Sequence, residues 1–466
     1  MKPLPEVELS GAATLPLVEG GKGIAISNGE SAGAWARAGG VGTFSAVNAD
    51  AYDEDGKVVP QVYHASTRRE RYEELVSYAI RGGIAQARIA HDVSGGRGRV
   101  HMNVLWEAAA AIRILHGVLE GAKGLVHGVT CGAGMPYKVS EIAASHGVYY
   151  YPIVSSGRAF RALWKRSYHK NPHLLGGVVY EDPWLAGGHN GLSNSEDPTR
   201  PQDPRPRVAE LRKAMNDVNL NSVPVFMAGG VWYLRDWVDW IDNPEIGPIA
   251  FQFGTRPLLT RESPISNDWK KRLTTLRKGD VYLNRFSPTG FYSSAVRNGF
   301  IQELTERATR QIAYERKPTG DRMVELPIGP RGRPVYVARE DKAKAEGWSA
   351  EGFTEGMRTP DGTLIFVDRS RKEKIVSDQR ACMGCLSRCR FSGWAEHQDG
   401  FTTGKMADPR SFCIQKTLQS ISHDGDVENN LMFSGHNAYN FATDPFYADG
   451  FIPTVGELIE RIRTGD

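Results

Sequence analysis

Between residues 22 and 263, short apolar or β-branched runs alternate with longer amphipathic stretches. The runs at 23–27, 42–47, 100–105, 124–130, 148–155, 175–181, 223–228 and 249–254 predict strands. Apolar residues at helical spacing predict helices between them, among others over 68–82, 107–120, 138–146 and 207–217. Strand–helix alternation of this kind suits a (β/α)8 TIM barrel, and a doubly wound open sheet would alternate in the same way. Glycines after several strands favour the barrel, whose βα loops converge at one end on a shared ligand. Residues 190–205, rich in Asn, Ser, Asp and Pro, predict a loop after the sixth strand.

The alternation stops past residue 264. Residues 294–316 predict a helix, 318–345 is rich in Pro, Gly and charge, and Pro360-Asp361-Gly362 predicts a hairpin turn. A final amphipathic helix is expected over 454–463. The chain of 466 residues therefore divides into a barrel at 1–265, a C-terminal extension at 266–424 and a closing segment at 425–466 that packs back on the barrel. Basic and acidic residues (57 and 54) nearly balance and form no stripe, which argues against nucleic acid as a main partner. No apolar run is long enough to span a bilayer, and the first residues lack the apolar core of a secretory signal, so a cytoplasmic location is expected.

Glycine pairs mark the candidate chemistry. Ala228-Gly229-Gly230 ends the seventh predicted strand, and Gln252-Phe253-Gly254-Thr255 ends the eighth. Backbone N–H groups exposed in such turns can hold a phosphate, and late βα loops of barrels often do so; two plain tight turns are the alternative. Ahead of them, Ala186-Gly187-Gly188-His189 sets an imidazole between residues that let a flat ligand approach the backbone. Imidazole can take or give a proton near neutrality. A solvent-facing loop histidine is the bland reading, and the position ahead of a phosphate site favours the catalytic one.

These runs, with Ala38-Gly39-Gly40-Val41-Gly42, Met102-Asn103-Val104, Ala295-Val296-Arg297-Asn298 and Phe433-Ser434-Gly435-His436-Asn437-Ala438-Tyr439, resemble the nitronate monooxygenase family, formerly the 2-nitropropane dioxygenases, whose relatives include flavin-dependent enoyl-ACP reductases. The resemblance implies an FMN-dependent enzyme with a small-molecule substrate. It places Asn103, Gly187, Gly188, Gly229, Gly230, Gln252, Phe253, Gly254 and Thr255 around the cofactor and His189 as the catalytic base. Ser27 and Asn28, in the predicted first βα loop, are expected near the cofactor as well. Seven residues before His189 the family carries Gln, and the enoyl reductases Glu, where this chain has Asp182 beside Glu181. Asp182 is thus expected at the flavin, and a carboxylate there would alter flavin electronics. Two activities are implied: oxidation of alkyl nitronates with O2, or reduction of an activated double bond such as an enoyl thioester or of a quinone, fed by NAD(P)H or a redox protein. A non-catalytic flavin- or metal-binding protein is a third reading, against which His189 speaks.

Of five cysteines, Cys382, Cys385, Cys389 and Cys413 crowd into one stretch, while Cys131 stands alone. The C-x2-C-x3-C spacing resembles the cluster segments of iron–sulfur flavoenzymes such as 2,4-dienoyl-CoA reductase and trimethylamine dehydrogenase. A [4Fe–4S] cluster, a structural zinc and free buried thiols all remain open. Gly29-Glu30-Ser31-Ala32-Gly33 fits G-x-S-x-G, but after a first strand it has almost no upstream chain to supply an oxyanion loop, so a hydrolase is disfavoured. Cys131 and Met135 are expected at the pocket. His101 and His127 read as satisfied core histidines, and Trp232, Trp237 and Trp240 read as packing.

Overall fold

The computed structural model describes residues 4–47, 50–52, 57–59, 61–329, 332–396, 406–423 and 425–464. The junction expected at 424 lies outside them. Eight parallel strands close into a barrel: β1 (Leu17–Glu19), β2 (Val41–Ser45), β3 (Arg99–Leu105), β4 (Gly128–Gly132), β5 (Tyr149–Val154), β6 (Val178–Glu181), β7 (Val225–Ala228) and β8 (Ile249–Phe253). Neighbours follow chain order, and β8 pairs with β1 through Phe251↔Leu17, Gln252↔Val18 and Phe253↔Glu19. The TIM barrel is therefore the architecture.

One predicted strand is displaced. Residues 23–27 form no strand, and the first barrel strand is the three-residue run Leu17–Glu19. Glu19 breaks the apolar pattern of that run, yet it is buried because Lys22, Ser31 and the Thr43 amide all bond it. Helix α1 (Gly29–Arg37) starts at Asn28, whose side chain accepts from the Ser31 amide. Helix α2 runs over Arg68–Ser94, well past the predicted end, behind a Thr67/Glu70 capping box. Its Gly82-Gly83 pair is not a stop: a Cβ on Gly83 would stand 2.6 Å from Val118, so the small residue lets the helices α2 and α3 (Ala111–Gly121) pack closely.

Side chains alternate along each strand. Val18, Val41, Tyr151, Val179, Phe226 and Ala250 fill the barrel interior, and the hairpin of Val7–Leu9 with Ala12–Thr14 adds Leu9 to the same cluster. At its turn, Ser10 bonds His101 (2.9 Å) and Tyr151 (2.8 Å), which plugs the end where the strands begin.

The predicted helix over 294–316 is two strands around a helix: Ser293–Val296, Gly299–Thr309 and Gln311–Ala313. Ser293–Val296 pairs with Val281–Asn284 and with Gly188–His189, tying the loop after β6 into a small antiparallel sheet. Thr363–Val367 pairs with Glu355–Arg358 as the predicted hairpin, and with Gln311–Ala313. Leu326, Val335, Val337, Ala345, Leu364 and Phe366 give this part of the extension its own apolar cluster. Among the described residues no helix is long and apolar enough to cross a membrane.

Candidate active site

Strand alternation decides which side chains reach the barrel mouth. Val179, Ala250 and His101 point inward, so two residues further on Glu181, Gln252 and Asn103 also point inward, and all three line a cavity over the C-terminal ends of the strands. Gly187, Gly188, His189, Gly229, Gly230, Phe253, Gly254 and Thr255 line the same cavity. The structure thus brings together ten of the residues the sequence singled out.

Three others lie elsewhere. Ser27 is buried with its hydroxyl on the Gly20 carbonyl and the Lys22 amide. Asn28 caps α1 and donates to the Glu262 carbonyl. Both shape the 20–27 loop without lining the cavity, because β1 ends at Glu19 and the loop's own Gly20, Gly21 and Lys22 come first to the mouth. Asp182 follows the end of β6, and its Oδ1 accepts from the Trp184 and Leu185 amides as a turn former, leaving Glu181 as the carboxyl in the cavity. Cys131 and Met135 also fall outside the lining, where Gly132 and Ala133 stand instead. Trp232, expected to be packing alone, reaches the cavity while its ring stacks under Arg256. Ser31 of the G-x-S-x-G run is buried on Glu19 (2.8 Å), which removes the hydrolase reading.

His189 sits in a two-residue strand against Ser293, with Nε2 2.6 Å from the Ser287 hydroxyl and its ring edge-on to Phe433. Burial lowers its pKa to about 4, so the imidazole is neutral at physiological pH. Burial, and then the neighbouring Asp182, raises the Glu181 pKa to about 8, so this carboxyl keeps its proton. Lys22 is paired with Glu19 at 3.1 Å and also donates to the Gly20 carbonyl. Burial pushes the Lys22 ammonium down and the Glu19 carboxyl up, and their attraction opposes both shifts.

The glycine turns leave room of a definite shape. Gly229 and Gly230 have φ of 86° and 78°, and a Cβ on either would approach Ala186 or Leu185 within 3 Å. A Cβ on Gly254, by contrast, would meet no protein atom within 4 Å: it would point into the cavity. Over this cradle the chain returns from the far C-terminal side, a contact the sequence reading named only through the Phe433–Tyr439 run. Gly435 N donates to Thr255 Oγ1 (2.9 Å), His436 N to the Leu185 carbonyl (3.1 Å) and Asn437 Nδ2 to the Gly230 carbonyl (2.5 Å).

The cysteine loop borders the same mouth. Cys385 and Leu386 line the cavity, and the loop is tied to the turn after β3 by Ala109 N to the Cys385 carbonyl (3.1 Å) and Ser387 N to the Glu107 carbonyl (2.7 Å). All four clustered cysteines are unpaired thiols. Among the described residues, no group of three or more His, Cys, Asp or Glu is placed to hold a metal ion as it stands.

A model of a protein family, described as nitronate monooxygenase, matches residues 8–460. Among solved structures, FabK from Thermotoga maritima is 16% identical over 97% of this chain and 92% of its own, with a TM-score of 0.51. Nitroalkane oxidase from Streptomyces ansochromogenes is 15% identical over 97% and 95%, with a TM-score of 0.50. The enoyl reductase domain of MlnA from Bacillus amyloliquefaciens is 12% identical over 97% and 94%, with a TM-score of 0.54. At these identities the three structures show the shared fold. No curated protein matches the chain.

Proposed function

Because the chain belongs to the nitronate monooxygenase family, we propose that it is an FMN-dependent oxidoreductase acting in the cytoplasm on alkyl nitronates, with O2 as oxidant. The observation that carries the reading is one cavity that joins a glycine-walled cradle to a neutral, half-buried imidazole. The cradle fits the cofactor: Gly254 opens toward free space where a side chain would collide with a ligand, and Gly229, Gly230 and Thr255 close the end where late barrel loops hold phosphate. Asn103 and Gln252 would offer side-chain amides to the ring system, and Gly187 and Gly188 would wall it, since all four line the cavity. Once bound, FMN would supply the electron-accepting chemistry.

The protein's own contribution is proton handling and orientation. A neutral imidazole can accept a hydrogen-bonded proton or donate its N–H to a nitronate oxygen, and Ser287 on Nε2 fixes which way the ring faces. The depressed pKa makes His189 a poor holder of a proton. It therefore suits a substrate that arrives as the anion, whose charge stabilises the imidazolium when one forms. Phe433, Leu386 and Trp232 line the cavity with apolar surface that excludes water.

A reductase of an activated double bond is the second reading, and Glu181 favours it. A carboxyl still protonated at neutral pH is a donor ready for a carbanion, and an oxidation of anions has less need of one.

The test is direct. Purified protein should be yellow and release riboflavin 5′-phosphate on denaturation, and it should consume O2 with propionate 3-nitronate. His189→Asn should remove that activity while keeping the colour. Colourless protein that refuses FMN overturns the cofactor assignment. Anaerobic NAD(P)H-driven reduction of an enoyl thioester, without nitronate oxidation, would select the reductase.

A further inference from the structure

We propose that Ser287 and Thr289 form a relay that carries a proton between the His189 imidazole and solvent, on the side of the ring away from the cavity. The proposal rests on His189 as the group that takes the substrate proton. The two hydroxyls stand in line behind the ring. His189 Nε2 lies 2.6 Å from Ser287 Oγ, and Ser287 Oγ lies 2.9 Å from Thr289 Oγ1. Ser287 is buried, Thr289 is half-buried and Phe291 is exposed, so the line runs from the interior to the surface. Neither hydroxyl residue lines the cavity. Both are positioning residues, since they act through His189 and touch no substrate.

Three features separate this arrangement from an ordinary turn. Thr289 N donates to Ser287 Oγ (3.3 Å) and Phe291 N to Thr289 Oγ1 (3.2 Å), bonds that hydroxyl residues commonly make in turns. A turn needs nothing more. Each oxygen still has its own O–H to donate and a second lone pair to accept with, and the first feature is that both lie along the line. With Nε2 unprotonated, Thr289 donates to Ser287 and Ser287 to the ring. With Nε2 protonated, the ring donates to Ser287 and Ser287 to Thr289. A proton can pass either way and leave no group without a partner.

The second feature is a free nitrogen. His189 Nδ1 bonds no described residue and, unlike His101 Nδ1, is not sealed off by protein. The ring can therefore take a proton at Nδ1 and release another at Nε2. The third is the lack of a trap. Among the described residues neither hydroxyl bonds a charged side chain. Arg390, beside Gly290, is paired with Asp408 at 3.2 Å.

The loop that carries the line is fixed at both ends. It joins the strands Val281–Asn284 and Ser293–Val296, and the second of these pairs with His189. Gly290 N donates to the Ser287 carbonyl (3.0 Å), and Asn190 N to the Tyr292 carbonyl (3.3 Å). From the extension, Arg390 N donates to the Pro288 carbonyl (2.9 Å) and Ser411 Oγ to the Phe286 carbonyl (2.7 Å). Pro288 restricts the backbone between the two hydroxyl residues.

The proton steps balance. Nδ1 takes the α-hydrogen of a neutral nitroalkane as a proton, and the electron pair of the broken C–H bond stays on the substrate as the nitronate. The Nε2 proton passes to Ser287 Oγ, the Ser287 hydroxyl proton to Thr289 Oγ1, and the Thr289 hydroxyl proton to water. Once the product has left, water in the cavity takes the Nδ1 proton and the reverse shift restores Nε2–H. A desolvated imidazole holds a second proton badly, and with substrate bound the apolar walls of Phe433, Leu386 and Trp232 leave little room for water to remove it. An exit behind the ring answers both constraints.

The test compares neutral nitroethane, which must lose a proton, with ethyl nitronate, which has already lost it. In flavin-loaded enzyme, Ser287→Ala and Thr289→Val should each lower kcat on nitroethane by about tenfold or more. Both should leave KM and the nitronate reaction near wild type. Thr289→Ser, which keeps the hydroxyl, should restore the nitroethane reaction. Flavin content and melting temperature are read on the same samples, and if Ser287→Ala fails to fold, the half-buried Thr289→Val decides. Equal losses on the two substrates would make the hydroxyls a mere prop for the ring and overturn the proposal. So would undiminished nitroethane turnover in the variants, or a wild-type enzyme that oxidises the nitronate and not nitroethane. Flavin-loaded wild type that oxidises neither would instead remove the reading on which the relay rests.

Discussion

On β3, two inward-facing residues stand two positions apart and meet different surroundings. His101, near the start of the strand, is boxed between Ser10 and Tyr151, its ring 4.4 Å from the tyrosine ring, and nothing but protein surrounds it. Asn103, nearer the end, faces the cavity shared with His189. The plugged end also buries a histidine, and burial lowers the pKa of His101 to about 3 much as it lowers that of His189 to about 4. A lowered pKa alone therefore does not tell the two imidazoles apart. What differs is the neighbour. His101 has Ser10 on Nε2 and protein on every side, whereas His189 has one hydroxyl behind it and open space in front.

Substitutions should separate the two ends. The largest effect is expected for His189→Asn: turnover should fall by about 10²–10⁴-fold, with flavin content and melting temperature near wild type. A loss of stability in place of activity would make the mouth histidine a second floor histidine. Next comes Gly254→Val, which adds a side chain where no protein atom lies within 4 Å. Folding should be unaffected and FMN affinity should drop by about tenfold or more, or about 1.4 kcal/mol, measured by flavin titration of the stripped protein. At the floor, His101→Ala should leave turnover per bound flavin unchanged and cost about 2 kcal/mol, since it opens a cavity beside the Tyr151 ring and strips Ser10 of a hydrogen-bond partner.

How much of this was legible depended on whether a residue's role was local. The late strands were readable because Val225–Ala228 and Ile249–Phe253 are apolar runs closed by glycine, and their loops carry Gly229, Gly230, Gly254 and Thr255 to the cavity directly. The first strand was not readable, because its buried Glu19 is explained only by Lys22 and by Ser31 and Thr43 on other elements. That displacement carried Ser27 and Asn28 into the site on paper and left Gly20, Gly21 and Lys22 out of it. Asp182 was chosen by counting back from His189 along a loop of assumed length. Alternation along β6 from the inward Val179 selects Glu181, and Asp182 before Pro183 is the turn signal that could have warned against it. Leu386 and Ile414 were beyond reach, since they come to the mouth only by tertiary packing of the extension.

The pH dependence sharpens the contrast, with the signs opposite for the two kinds of group. His101 and His189 have folded pKa values near 3 and 4 against an ordinary 6.5, so the unfolded chain binds more protons below pH 6.5. Their contribution to stability is complete above 6.5 and is lost as the pH falls through that window toward 4. His101→Leu should flatten this acid slope without moving the acid limb of turnover, which should stay below about pH 5 because His189 sets it.

Glu181 runs the other way and is expected to give the smallest effect. Its folded pKa of about 8 lies above the ordinary 4.5, so folding favours the protonated carboxyl and destabilisation grows as the pH rises from 4.5 toward 8. Glu181→Gln, which keeps the shape and removes the charge, should raise the melting temperature of flavin-free protein by roughly 2–4 °C at pH 8, about 1 kcal/mol, and by nothing at pH 4. Equal shifts at the two pH values would mean that the carboxyl titrates normally, and with that result the argument for a proton donor at the barrel mouth would fail.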